Sequence, residues 1–365
     1  MSLTELERAV VALLRRDPMI GSAGIARELG TTRAAVNVHL SNLGKKGVIL
    51  GRGYVLSEQR SVVVVGGANM DVKARSRSAV VAATSNPGTA TMSAGGVGRN
   101  VAENLARLGT RTHLVAAVGA DALGDQVLSA TSGAGVHVEH VRRSARSTGT
   151  YTAVLDADGE LVVAVADMAA TDGLTSEHVD GARDLLAAAA LVVLDGNLAT
   201  PTLALALDLA AAAGARVVLE PVSVPKAAAL APLVTKDHPI HVVTPNRDEL
   251  GALTGLPTRT ARQVERAARV LHDRGVEHVW VRLGADGSLL SGPDGTTSLA
   301  ALPAEVVDVT GAGDAMLAAF CHALLDGTEP AEAAAYGHAA AALTVASAHT
   351  VRPDLTDRLV RSTTA

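Results

Sequence analysis

The run Asp308-Val309-Thr310-Gly311-Ala312-Gly313-Asp314 stands directly before the apolar, alanine-rich stretch Ala315 to Leu325. Small residues leading into a helix leave backbone N–H groups open, and the positive end of the helix dipole adds to them. Such a loop suits a phosphate in transfer. A carboxylate is electrostatically out of place beside bound phosphate, so Asp314 reads as a base that takes a proton from an attacking hydroxyl. An N-cap aspartate closing a glycine-rich turn would leave the same trace. Four further loops carry polar or glycine-rich chemistry: Asn69-Met70-Asp71, Ser93-Ala94-Gly95-Gly96-Val97-Gly98-Arg99-Asn100, Thr244-Pro245-Asn246-Arg247-Asp248-Glu249 and Leu283-Gly284-Ala285-Asp286-Gly287. Singly, each has a plain reading as an Asx turn, a glycine turn, an N-cap or a hairpin turn. Their order along one chain is harder to dismiss.

The elements that must position these loops follow from apolar patterning. Ser61 to Gly67 is a β-branched run stopped by glycines, the mark of a buried strand, and similar runs recur at Thr112 to Val118, Leu191 to Leu194, Arg216 to Leu219, His241 to Thr244 and Val279 to Leu283. Between them lie alanine-rich helical stretches: Val101 to Leu108, Ala182 to Ala190, Pro201 to Ala213 and Ala261 to Arg274. Strands alternating with helices predict a doubly wound α/β body with a parallel sheet covered on both faces. Open sheets of that kind bind ligands at strand ends, where these loops fall. Thr148 to Leu155 and Leu161 to Val165, joined at Asp156-Ala157-Asp158-Gly159, predict a hairpin that forms a small lid with part of Val72 to Met92.

Residues 1–60 read differently. Apolar residues at Leu6, Ala9, Val10, Leu13 and Leu14 give one helical face, ended by Asp17-Pro18; Ser22 can cap a second helix, and Thr31 or Thr32 a third running to about Lys46. This predicts a helix-turn-helix whose last helix offers Arg33, Asn37 and His39 to a DNA groove, followed by a wing over Gly47 to Leu56 with Arg52 at its tip. A three-helix dimerisation module would look similar. Charge divides along the same line: residues 1–60 carry +4, whereas the whole chain of 365 residues carries −5, leaving −9 for the remainder. A basic module on an acidic body points to two tasks.

Composition narrows the classes. No uninterrupted apolar run reaches membrane-spanning length and no basic-then-apolar leader follows Met1, so a soluble cytoplasmic protein is expected. Cys321 is the single cysteine, which excludes an intramolecular disulfide and any cysteine-based zinc cluster. Aromatics make up 1% of residues, so any nucleobase must be gripped by aliphatic walls and hydrogen bonds rather than stacking.

The ordered motifs resemble the ribokinase-like (PfkB) carbohydrate kinases over about residues 61 to 355, through Gly95 to Asn100 and, more specifically, Asp308 to Asp314. Val62 to Asp71, Gly95 to Ala102 and Tyr151 to Met168 look most like the pseudouridine kinases of that family. The family's sugar kinases often place a lysine after the paired glycines; here Val97 stands there, which fits the nucleoside branch. The resemblance implies a winged helix-turn-helix domain over 1–58 and a ribokinase-like domain over 61–365, with the lid drawn from parts of 72–92 and 148–168. It implies a 5′-hydroxyl kinase of a ribonucleoside, most of all pseudouridine, using ATP and Mg²⁺, with K⁺ as a further candidate cofactor. Other nucleosides such as inosine, uridine or adenosine, free ribose, and a transcription regulator with a kinase-like sensor body are the alternatives.

By the same resemblance Asp314 is the base and Gly311, Ala312 and Gly313 form the anion hole. Asp71 and Asn100 hold the ribose hydroxyls, with Asn69, Gly95 and Gly96 shaping the pocket and Tyr151 and Asp167 contributed by the lid. Ser223, Lys226, Asn246, Gly284, Gly287 and Ala340 fall along the nucleotide. Asn246 and Glu249 organise Mg²⁺ through water, and Asp308 with Thr310 serves a monovalent cation. Lid edges need covering, and pairing two lids is one solution, so a homodimer is expected.

Overall fold

The computed structural model describes residues 3–49 and 61–364. The chain divides into two compact units, Met1–Gln59 and Arg60–Ala365.

The first unit contains α1 (Glu5–Arg16), α2 (Ser22–Glu28) and α3 (Arg33–Lys45). Val10, Leu14, Ile25, Val36 and Leu43 are wholly buried and form its core. Thr4 and Glu7 close a capping box on α1, and the buried Glu7 carboxylate also takes Lys46 Nζ at 2.7 Å, which holds it below the usual carboxylate range. The α2 cap is Gly21 rather than Ser22, because the Ser22 hydroxyl accepts from Arg33 Nε at 3.2 Å instead. Thr32 caps α3. Arg33 and Asn37 are exposed on α3, whereas His39 is half-buried with its Nδ1 enclosed, so it is not the open reader its position predicts. Arg52 and most of the expected wing lie outside the described residues.

The strands of the second unit are β1 (Ser61–Val65), β2 (Asn69–Ser76), β3 (Gly88–Gly95), β4 (Arg111–Gly119), β5 (His137–Ser144), β6 (Gly149–Leu155), β7 (Leu161–Asp167), β8 (Leu191–Asp195), β9 (Arg216–Glu220), β10 (Ile240–Val243), β11 (Val276–Arg282), β12 (Ser288–Gly292) and β13 (Gly295–Leu299). Its helices are α4 (Val97–Arg107), α5 (Ala122–Gly133), α6 (Ala169–Asp172), α7 (Ser176–Gly181), α8 (Arg183–Ala188), α9 (Thr200–Ala213), α10 (Val224–Leu230), α11 (Arg247–Thr254), α12 (Ala261–Asp273), α13 (Ala312–Leu325), α14 (Pro330–Val345) and α15 (Asp357–Thr364).

A nine-stranded sheet runs in the order β13-β12-β11-β10-β9-β8-β1-β4-β5, parallel except where β12 and β13 add antiparallel at one edge. Alternation within β1 shows how the sheet is buried: Val62 and Val64 face the core packed by α4, α13 and α14, whereas Val63 and Val65 face the core on the other side. Strand order reverses beside β1, with β4 on one flank and β8 on the other, so the crevice at the carboxyl ends of β1 and β8 is where a ligand belongs. The edge strands β5 and β13 escaped the sequence reading because runs rich in His, Arg, Ser, Thr and Gly lack an apolar core signal, and β12, paired between β11 and β13, escaped it because its apolar run is only Leu289-Leu290.

The second sheet is the lid, ordered β3-β2-β6-β7. Asn69 and Asp71 prove to be the opening residues of β2 rather than a loop. Alternation therefore puts Asn69, Asp71 and Lys73 on one face of that strand, and direct pairing with Asp71 adds Tyr151 of β6 to it.

Candidate active site

The site is assembled at the first turns of α4 and α13 and the first residues of β2. Gly311 is the N-cap of α13 and holds φ of 80°, and a Cβ there would collide with the Thr350 carbonyl. Asp314 is thus the third residue of the helix, not its cap. Its Oδ2 accepts from Asn100 Nδ2 at 2.9 Å. That bond turns the carboxylate across the cleft rather than onto its own helix, so Asp314 does not serve as the cap. Burial raises its pKa to about 7; the Asn100 bond and Arg282 pull it down, and Glu220 and Asp195 push it up. A carboxyl group poised there can exchange a proton near neutrality. First-turn amides of α13, those of Gly313 and Asp314, have no acceptor within the helix.

Asn100 is held by its neighbour. Arg99, 4% exposed, is fixed by Glu103, by Thr131 Oγ1 at 3.2 Å and by the Ala94 carbonyl at 3.1 Å. Its Nη1 donates to Asn100 Oδ1 at 3.2 Å, so the amide must present Nδ2 to Asp314. Burial lowers the Arg99 pKa, and the charges of Glu103, Asp71 and Asp314 act against it. Asp71 accepts from Asn69 Nδ2 at 2.7 Å. Burial raises the Asp71 pKa, opposed by the Asn69 bond, Lys73 and Arg99. Gly95 ends β3 opposite Asn69 and leaves no room for a Cβ beside the Asp71 carboxylate. Gly96 caps α4 at φ 97°, where a Cβ would sit 2.5 Å from the Gly67 carbonyl and 2.8 Å from Asn69 Oδ1. Asn69, Asp71, Gly95, Gly96, Asn100 and Asp314 therefore form one cluster. Tyr151 is half-buried on the same lid face, and Asp167 is exposed at the end of β7, its Oδ1 accepting from Ala169 N at 3.0 Å.

Asp195, which the sequence reading passed over, forms the floor. It ends β8, is 1% exposed, and accepts from Gly67 N and Gly98 N at 2.8 Å and from Asn197 N at 2.9 Å. Burial raises its pKa, with the Gly67 and Asn197 amides pulling the other way. It stitches the end of β1 to the start of α4 across the crevice. Lys226 donates to Asn197 Oδ1 and so lies against this floor. Ser223, at the cap position of α10, makes no capping bond with its side chain. The turn before it is strained: Val222 has φ of 70°, and Ser223 N donates to the Pro221 carbonyl at 2.8 Å. A β-branched residue in that region costs about 1–3 kcal/mol, held here by Glu220 Oε1, which accepts from Val222 N at 3.1 Å.

Beyond Asp314 lies a buried charge cluster. Arg282 Nη2 is 2.6 Å from Glu220 Oε1 and 3.5 Å from Glu249 Oε2, with both carboxylates 3% exposed. A Cβ on Gly313 would lie 2.8 Å from Arg282 Nη1, so the guanidinium backs the loop at the head of α13. Burial and the like charge of Glu220 raise the Glu249 pKa against the pull of Asn246 and Arg282. Arg282 was hidden in the sequence as the polar end of an otherwise apolar strand. Asn246 and Glu249 form a complete capping box: Asn246 Oδ1 accepts from Asp248 N and Glu249 N at 2.9 Å, and Glu249 Oε2 accepts from Asn246 N at 2.8 Å. The N-cap reading of this motif is realised, and Glu249 is at the same time an ion-pair partner. Gly284 is exposed in the turn after β11, and Gly287 is buried with no space for a Cβ beside Leu299 O.

Two expectations need correction. Ala340 is wholly buried within α14, packed in the core with α13, and cannot touch a base. Asp308 and Thr310 do not stand open for a cation: Lys73 Nζ lies 2.6 Å from Asp308 Oδ2 and 3.2 Å from Thr310 Oγ1.

Comparison with known proteins agrees with this geometry. Residues 59–357 match the model of the pfkB family carbohydrate kinases, and residues 3–49 that of a winged helix-turn-helix DNA-binding domain. An uncharacterized sugar kinase of Escherichia coli (strain K12), YeiI, is 36% identical over 351 residues, covering 96% of each chain and so both units. The pseudouridine kinase of the same organism is 33% identical over 82% of this chain and 95% of its own. Among solved structures, Arabidopsis thaliana ribokinase complexed with ribose and ATP superposes with a TM-score of 0.73 at 28% identity, over 84% of this chain and 98% of its own length. A carbohydrate kinase from Agrobacterium tumefaciens gives 0.73 at 32% identity over 84% and 97%. The chain has the ribokinase-like α/β fold with a winged helix-turn-helix at its N-terminus, and it belongs to the pfkB family of carbohydrate kinases.

Proposed function

We propose that the chain transfers the γ-phosphoryl group of ATP to the 5′-hydroxyl of a ribonucleoside, pseudouridine before others. The observation that carries this reading is the Asn100–Asp314 pair at the head of α13, with a carboxyl pKa near neutrality and the Asn69–Asp71 pair in the same cluster. Asp71 suits two ribose hydroxyl donors, and Asn100 orients the base. Asp314 takes the proton of the attacking hydroxyl as the oxygen approaches phosphorus in line, and the backbone amides of Gly311 and Gly313 receive the charge on the moving group, the Ala312 amide being turned to the Val309 carbonyl at 3.3 Å. Ser223, Lys226, Gly284 and Gly287 border the donor phosphates in this reading, and Asn246, with Oδ1 committed to its helix, keeps Nδ2 to donate.

Glu249 fits Mg²⁺ at one remove. Its capping bond and its ion pair both use Oε2, leaving Oε1 for a metal-bound water, the kind of contact magnesium favours. When bound, the ion supplies charge neutralisation on the phosphates. Pseudouridine is favoured by the similarity to pseudouridine kinases and by Val97 in place of a lysine. Ribose is the second reading, because Arabidopsis thaliana ribokinase is also 33% identical, over 78% of this chain. ADP release measured across pseudouridine, uridine, inosine, adenosine and ribose tests the assignment: the highest kcat/KM is expected for pseudouridine, preference for ribose overturns the substrate, and no release with any acceptor overturns the kinase.

Two partners belong to the same proposal. Arg33 and Asn37 are exposed at the start and middle of α3, in a unit of positive charge, which supports DNA binding. The lid face opposite Asp71 exposes Met92 by 54%, Val163 by 51% and Val165 by 64%, an apolar surface that a second lid would cover in a homodimer. No described helix is long and apolar enough to cross a membrane.

A further inference from the structure

Lys73 follows Asp71 by two positions on β2 and leaves the strand on the same face, toward the loop that precedes the anion hole. Its ammonium meets Asp308 Oδ2 at 2.6 Å and Thr310 Oγ1 at 3.2 Å, while Asp308 Oδ1 accepts from Thr310 N at 2.8 Å. The same loop is tied at its other side, where Val307 N and Asp308 N both donate to the Val345 carbonyl. Both partners of the ion pair are about three-quarters buried, with side chains 28% and 24% exposed. A free cation placed on these two oxygens would have to displace the lysine or share its acceptors against like charge.

We propose that the Lys73 ammonium is a built-in monovalent cation: it neutralises Asp308 and sets the Asp308–Thr310 loop from within the chain, so that catalysis needs no K⁺. The inference rests on the kinase reading and adds to it. Because the lysine is carried by the strand that also carries Asn69 and Asp71, seating the nucleoside under the lid and setting the loop before the anion hole become a single event. Lys73 is a positioning residue in this scheme, acting through the backbone of Thr310 and Gly311 rather than on the phosphate.

Cation exchange tests it. At matched ionic strength, wild-type turnover on its best acceptor is expected to agree within about twofold in potassium chloride and in choline chloride. Lys73→Ala is expected to lose at least tenfold in choline and to regain most of that loss in K⁺ or NH₄⁺, which fit the vacated space. Lys73→Met, which keeps the stem and fills the space, is expected to lose the same activity without rescue. Thermal melting without substrates gives a second readout: the midpoint of Lys73→Ala rises with K⁺ and the wild-type midpoint does not. A wild type that loses tenfold in choline, or a Lys73→Ala protein indifferent to cations in both turnover and melting, overturns the proposal. Failure of the kinase reading shows itself separately, as a wild type inactive on every acceptor, and melting alone then decides.

Discussion

Replacing Asp314 by Asn should remove activity and add stability, and the size of the second effect can be worked from the site. Burial lifts the carboxyl from 3.8 to about 7. At 1.36 kcal/mol per unit the ionised group costs the fold at most about 4 kcal/mol, and discounting for its partial exposure leaves about 2 kcal/mol. The sign follows from proton binding. Between pH 4 and 7 the folded state holds a proton that the unfolded state has released, so this contribution is complete below pH 4 and is lost as pH rises through 7. Asp314→Asn keeps an oxygen for Asn100 and has no charge to desolvate. It should match wild type near pH 4 and exceed it by about 2 kcal/mol at pH 8. Trp280, the single tryptophan, is wholly buried in the kinase unit, so urea unfolding followed by its fluorescence reports on that unit. In the wild type kcat/KM should fall about tenfold per pH unit below 7 as the base protonates. The variant should lose at least about a thousandfold in kcat with nucleoside affinity little changed. Near-normal turnover, or no gain in stability at pH 8, would refute the reasoning.

Arg282→Met should be severe. It leaves Glu220 and Glu249 buried without their shared cation, a loss of about 3–5 kcal/mol in the same urea assay, and it should move the acidic limb of kcat/KM to higher pH, because Arg282 helps keep Asp314 ionised. An unchanged limb would show that the guanidinium does not act on the base. Val163→Glu on the outer lid face should give a monomer by sedimentation equilibrium where the wild type is dimeric; a wild-type monomer rejects the lid interface. For the N-terminal unit, gel shifts on fragments of the gene's own promoter should show binding that weakens as salt rises and is lost in an Arg33→Ala, Asn37→Ala double variant. Absence of any shift at low salt rejects the DNA partner.

The central strands were legible because a parallel strand buried on both faces must be apolar throughout, as Val62 to Val65 are. Edge strands carry no such obligation, and β5 and β13 were missed for that reason, whereas β12 was missed because its buried run is too short to stand out. In the site, glycine-rich loops announced themselves because close backbone approach excludes side chains. What the sequence concealed were charges acting at a distance along the chain: Asp195 meets Gly67 and Gly98, Lys73 meets Asp308, and Arg282 meets Glu220. Each lies in a strand whose local pattern does not name its partner, and its meaning comes from partners that only topology supplies. Ala340 failed for the opposite reason. Its place near the expected adenine site follows from family order, but a helix in an alanine-rich stretch packs most of its residues into the core.

Asp195 fills the space that a side chain at position 66 would need and, with the Gly66 backbone, closes off position 98. The three positions therefore behave as one unit: a larger residue at either glycine has no place while the carboxylate stands, and removing the carboxylate leaves the amides of Gly67 and Gly98 without an acceptor. Stepwise change is blocked in both directions. The floor of the crevice is fixed by that interdependence, while lid positions outside the Asn69–Asp71–Gly95 and Lys73–Asp308–Thr310 contacts carry no such constraint. New acceptors for this kinase scaffold should then be sought by altering Tyr151 and its neighbours on the lid, with Asp195 left alone.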